Sequence, residues 1–153
     1  MLRDIKASPE LQKKLIAMNA IQQRIVIAKM TQQVLELYGL NFAKPVDSAL
    51  AVFLSDSATD DQLLVASDIA ITYKDKLLVK TPCYFGRVLY EPEANKMLWL
   101  ATQTKNKSSA LDAAEIYAFE LANYLYVKPD CILMSKALKQ AYIDVENFIN
   151  EIV

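Results

Sequence analysis

Histidine is absent from this chain of 153 residues, and glycine occurs only twice, at Gly39 and Gly86. Imidazole is the usual proton shuttle near neutral pH, and closely spaced glycines build most phosphate-cradling loops. The two shortages remove most recognisable catalytic constellations and nucleotide-binding turns. Cysteine is nearly as scarce. Cys83 and Cys131 stand far apart with no CxxC pairing, which argues against a structural zinc site or a redox dithiol. Both thiols are expected reduced and buried, and no metal or cofactor is expected.

Long apolar runs are missing too. The densest, residues 49–54, falls far short of the roughly 18 residues needed to cross a bilayer. Charges appear at once in the first six residues, followed by Ser8-Pro9-Glu10, so no apolar core of a secretory signal is visible. A cytoplasmic location is expected, and the Asn106-Lys107-Ser108 glycosylation sequon reads as coincidence.

What is present suits a folded chain. Hydrophobic residues make up 54% and charged residues 23%, a balance that can offset chain entropy without staples. One domain spanning residues 1–153 is expected. The net charge of −1 hides an asymmetry. Residues 1–44 hold seven basic side chains against three acidic ones, whereas residues 108–153 hold three lysines against seven carboxylates. Such ends can attract one another within the fold or mark faces for different partners.

The element pattern predicts an α+β fold: a long N-terminal helix, an antiparallel β-meander of four to five strands, and two C-terminal antiparallel helices packed on the sheet. Ser8 as cap, Pro9 and Glu10 open the first helix, and Gly39 closes it. Around Ile25, Val26, Ile27 and Met30 the apolar residues run nearly all the way round. They are candidate oligomer contacts, unless the C-terminal helices cover them.

Residues 67–73, 77–81, 84–90 and 97–103 read as strands in two hairpins, joined by Lys74-Asp75-Lys76 and by a turn from Glu91 to Lys96. Residues 49–54 add a fifth strand or a short helix behind Asp47. A competing reading makes 60–73 a helix capped by Thr59. Ser109 with Asp112 opens the next helix, Lys128-Pro129-Asp130 breaks it, and a last helix starts near Ile132 or Ser135.

Chemistry-bearing clusters are sparse. Cys83 is a poor nucleophile candidate without a base. Asp56, Asp60 and Asp61 resemble a cation loop but lack the glycine turn and closing glutamate of an EF-hand. Glu91 and Glu93 read as turn residues, and Glu115 and Glu120 as the polar side of a helix.

Surplus tyrosine, with tryptophan and arginine, points elsewhere, since these residues dominate binding hot spots. Tyr84, Arg87, Tyr90 and Trp99 form the candidate docking patch. The resulting expectation is a non-catalytic cytoplasmic protein-interaction module of inhibitor, immunity-protein, chaperone or adaptor type, with another protein, and possible copies of itself, as partners. Two alternatives remain open. One is a single-stranded nucleic-acid binder using Lys74, Lys76, Lys80, Arg87, Lys96, Lys105 and Lys107 beside aromatics on the sheet face. The other is a metal-dependent or carboxylate-only enzyme.

Overall fold

The computed structural model describes residues 5–74, 83–85, 88–90, 93–130 and 132–153. Helix α1 (Pro9–Ala17) starts where its signals place it, with the Ser8 hydroxyl accepting from the Leu11 N–H at 3.2 Å. The single long N-terminal helix is corrected to two. The chain turns extended at Met18 and restarts as α2 (Ala20–Tyr38). Asn19 is the cause. Its side-chain oxygen accepts from the Gln22 N–H at 2.8 Å, and the Gln22 side chain accepts from the Asn19 N–H at 3.0 Å. This reciprocal box satisfies two otherwise orphaned amides and makes a new start favourable. Helix α2 ends at Gly39 in the left-handed conformation, φ 65°, which a residue with a Cβ adopts only at a cost.

The middle of the chain overturns the α+β expectation. Residues 49–54 belong to α3 (Lys44–Leu54), residues 67–73 to α4 (Asp60–Tyr73), and most of 97–103 to α5 (Ala94–Leu100). The fold is helical, and no antiparallel meander forms among the described residues. The expected strand at 84–90 is instead a short antiparallel pair, β1 (Cys83–Phe85) and β2 (Val88–Tyr90), with Tyr84 opposite Leu89. The expected strand at 77–81 and the turn residues Asp75, Lys76, Glu91 and Pro92 lie outside the described residues.

Helix α4 shows why the strand reading failed. Ile69, Ile71 and Tyr73 alternate as a strand would, yet Thr59 and Gln62 form a second capping box, with bonds of 3.2 and 2.9 Å. Ala66 and Ala70, four apart, give α4 a narrow buried edge. Local capping and this packing override β-propensity, which is largely a property of context.

The C-terminal part is helical as expected, with changes at its joints. Helix α6 (Ser109–Leu121) passes into a π-helical turn over Ala122–Val127, and Lys128-Pro129-Asp130 adds the single turn α7 (Lys128–Asp130). Helix α8 (Met134–Ile152) follows. In the π turn, Tyr124 meets Tyr38 edge to face at 4.8 Å, and the Tyr126 hydroxyl donates to the Asp144 carboxylate. Helices α6 and α8 pack on each other, not on a sheet, with Tyr117 edge-on to Phe148 at 5.6 Å. Glu120, read as solvent-facing, is fully buried.

Helix α2 is the axis of this packing and touches α3, α5 and α6. Val26, Ile27 and Met30 are buried there, and Ile25 is half-buried. The chain's own helices thus cover the apolar girdle. Buried Gln23 ties the α1–α2 break to α6: its amide donates to the Met18 carbonyl at 3.2 Å and accepts from the Ala110 N–H at 3.2 Å. No helix among the described residues is long and apolar enough to cross a membrane.

Two measurements follow from this packing. Met30→Ala leaves a cavity beside α2 and should lower unfolding free energy by about 2–5 kcal/mol. In urea titrations the loss should be independent of protein concentration; a loss seen only on dilution would place Met30 between subunits. Burial, helped by Asp144 and Glu36 for Tyr117, by the bond to Asp144 for Tyr126, and by Glu115 for Tyr142, pushes all three hydroxyls up to about 12. They stay protonated in the folded chain where the unfolded chain, near 10, has lost its protons. The unfolded state then binds fewer protons, so stability should fall as pH rises from about 10 towards about 12. Tyrosinate absorbance should therefore rise together with loss of helical circular dichroism, and early ionisation without unfolding would contradict this.

Candidate functional site

Helices α3 and α4 form a helical hairpin whose outer side is the candidate site. Pro45 lies in the first turn of α3 and Asp47 follows it, both suited to a helix start. At the other end the Ser55 N–H closes on the Val52 carbonyl at 3.1 Å. The last carbonyls of a helix lack intrahelical donors. Arg24, buried on α2, supplies them: its Nε donates to the Phe53 carbonyl at 3.3 Å and an Nη to the Ser55 carbonyl. Burial pulls the Arg24 guanidinium below its ordinary range, while Asp56 nearby opposes that shift. The clamp fixes where α3 stops and the 55–59 loop begins.

Helix α4 buries two small residues fully, packs Leu63, Ile69 and Tyr73 partly against the core, and leaves three other large residues outside. Ala66 and Ala70 are its buried residues, whereas Leu64 is 64% exposed, Val65 60% and Ile71 52%. Between the two helices runs a groove of about 330 Å³, lined by Ser48, Ala49 and Val52 of α3 and by Asp61, Gln62, Val65, Ala66 and Ile69 of α4. Its walls are apolar along most of their length. Five aspartates stand against two lysines in residues 44–74. Among the described residues, the carboxylates of Asp60, Asp61 and Asp68 form no ion pair.

A second cleft, about 390 Å³, lies between α5 and α6 and is more polar. Trp99, Phe119, Glu93, Lys96, Asp112 and Glu115 line it. Desolvation raises the Asp112 carboxyl, against a bond from Ser108 and the charge of Lys96. It also raises Glu115, helped by Asp112 and opposed by Lys6. The Lys74 ammonium sits 3.9 Å from the Trp99 ring centroid, so a cation internal to the chain already occupies one face of that indole.

The expected docking patch divides accordingly. Trp99 is on α5, half-buried at this second cleft; Tyr84 and Tyr90 lie on β1 and β2; Arg87 lies outside the described residues. Lysines expected to share a sheet face with aromatics are placed differently, with Lys74 at the end of α4, Lys96 on α5, and Lys105 and Lys107 in the loop before α6. Asp60 and Asp61 fall in the first turn of α4, where they complement its positive end. Among the described residues no three cysteine or carboxylate side chains gather as a metal site would require.

Leu64 and Val65 precede the strand expected over 67–73 and Ile71 falls within it, so only the competing helix over 60–73 sets all three on one element. The Thr59-x-x-Gln62 pattern is the signal for that helix. Comparison with known proteins finds no matching family model, no similar curated protein and no similar solved structure.

Arg24→Leu tests the clamp. Removing the guanidinium leaves the Phe53 and Ser55 carbonyls short of donors, and the expected cost is about 1–3 kcal/mol in unfolding free energy. Amide exchange should accelerate first across residues 50–59; uniform acceleration throughout the chain would argue against a local role.

Proposed function

We propose that this chain is a non-catalytic cytoplasmic protein-interaction module that acts by occupying a partner's surface through its α3–α4 hairpin. One observation carries the reading: α4 fully buries two alanines, packs Leu63, Ile69 and Tyr73 partly against the core, and still shows three large aliphatic side chains to solvent. A helix that is apolar on nearly every side is ordinarily covered on more than one. Within the chain, α4 is covered along the side of Leu63, Ala66, Ile69, Ala70 and Tyr73, which leaves Leu64, Val65 and Ile71 in solvent. Val65 lines the groove, while Leu64 and Ile71 stand on another side of α4; exposed apolar side chains beside such a groove are a common mark of an interaction site.

The choice of hairpin differs from the tyrosine-rich patch that the sequence favoured. Of that patch, Trp99 lies at the polar cleft and has Lys74 against its ring. The α3–α4 surface instead offers aliphatic anchors and a shallow channel, the features of helix-in-groove recognition.

Val65→Glu places a charge in the groove wall at a position exposed enough to leave folding within about 0.5 kcal/mol of the original. Affinity capture from the source cells with both forms is the direct test. The original chain should retain a protein in stoichiometric amount, and the variant should lose it while its thermal midpoint stays unchanged. Equal retention by both forms, or turnover of a small molecule with no retained protein, would overturn the reading.

A further inference from the structure

We infer that the occupant of the α3–α4 groove is an amphipathic helix of a partner protein bearing lysine or arginine along one edge. This rests on the docking reading above and adds the chemistry of the partner. Shape comes first. The groove is formed by two helices whose backbone amides and carbonyls are spent on their own hydrogen bonds, so an extended peptide finds no strand edge to extend. Eleven residues of α3 span about 16 Å, which is the length of three helical turns. A third helix laid along the hairpin would set apolar side chains spaced i, i+3 or i+4, and i+7 between Val52 and Val65.

Charge comes second. Asp61 lies in the groove wall, and Asp68 stands seven residues further along α4 on the same stripe, about 10 Å away along the axis. Both side chains are exposed, and neither has a cationic partner among the described residues. An approaching helix with basic residues seven apart would meet both. A second copy docked through the same hairpin would instead bring two surfaces with the same excess of aspartate over lysine against each other, where like charges repel.

The test uses two fluorescent synthetic peptides of about 14 residues with the same leucine pattern, one with lysine and one with glutamate at the remaining positions. Anisotropy titrations on the full chain should show the leucine–lysine peptide binding at least about tenfold tighter than the leucine–glutamate peptide. Val65→Glu should abolish that binding. Asp61→Asn with Asp68→Asn should weaken it severalfold and flatten its salt dependence, with circular dichroism unchanged. Methyl spectra should move at Val52, Val65 and Ile69.

Equal binding of both peptides, insensitivity to the aspartate changes, shifts confined to the α5–α6 cleft, or self-association lost in Val65→Glu would each overturn the inference. If cellular capture yields a Val65-dependent partner while the leucine–lysine peptide does not bind, the basic-helix inference falls and the module reading stands. If neither binds, both fall.

Discussion

Helix α2 sets the terms for everything packed around it. It is touched by α3, α5 and α6, so its side chains face protein in almost every direction and polar groups there must find partners inside. Ile27, Met30 and Val34 meet that condition by being apolar, and Thr31 by donating to the Ile27 carbonyl at 2.8 Å. Gln23 and Arg24 meet it by reaching out of the helix. The first binds the entrances of α2 and α6, the second the exit of α3. The polar contacts of the axis thus define the ends of its neighbours.

That arrangement explains why the exposed apolar surface lies where it does. Fixing α3 through Arg24 and joining it by a short loop to the capped start of α4 leaves α4 outermost in the hairpin. Contact through Ala66 and Ala70 brings the helix close but covers little of it. Leucine or isoleucine at those two positions would push α4 outward and fill the groove with its own side chains. Leaving Leu64, Val65 and Ile71 outside while alanines make the closest contact is not what a helix packed only for stability would show.

Legibility in the sequence followed the strength of local signals. Ser8, Pro9 and Gly39 each act within one turn and need no tertiary context, so the outer limits of the N-terminal region were readable. The break at Asn19 was equally local, yet the apolar periodicity on both sides hid it. Residues 60–73 are harder, because β-branched and aromatic residues in a short run satisfy strand alternation as well as a helix whose fully buried positions are only Ala66 and Ala70. Burial of Glu120 could not be read from its helix, since the sequence does not say how many sides of α6 are covered. The competing reading of 60–73 as a helix capped by Thr59 holds, but it does not say which sides of that helix are covered, so exposed Leu64 and Val65 are not singled out by it.

Charge gives the last link. The basic N-terminal region and the acidic C-terminal region adjoin: α1 packs on α6, and at the surface the charge of Lys6 acts on Glu115, Lys14 bonds Asn150 at 2.8 Å, and Ser8 bonds Glu146 at 3.3 Å. Of these contacts, that of Lys6 with Glu115 brings opposite charges together. The α3–α4 hairpin is different. Its excess aspartates lie on the outer helix and, beyond Asp56 near Arg24 and the helix start at Asp60 and Asp61, have no answering charge among the described residues. A surface that combines unspent negative charge with unburied aliphatic side chains is matched by basic edges and apolar faces together, a combination that water and dissolved ions do not provide.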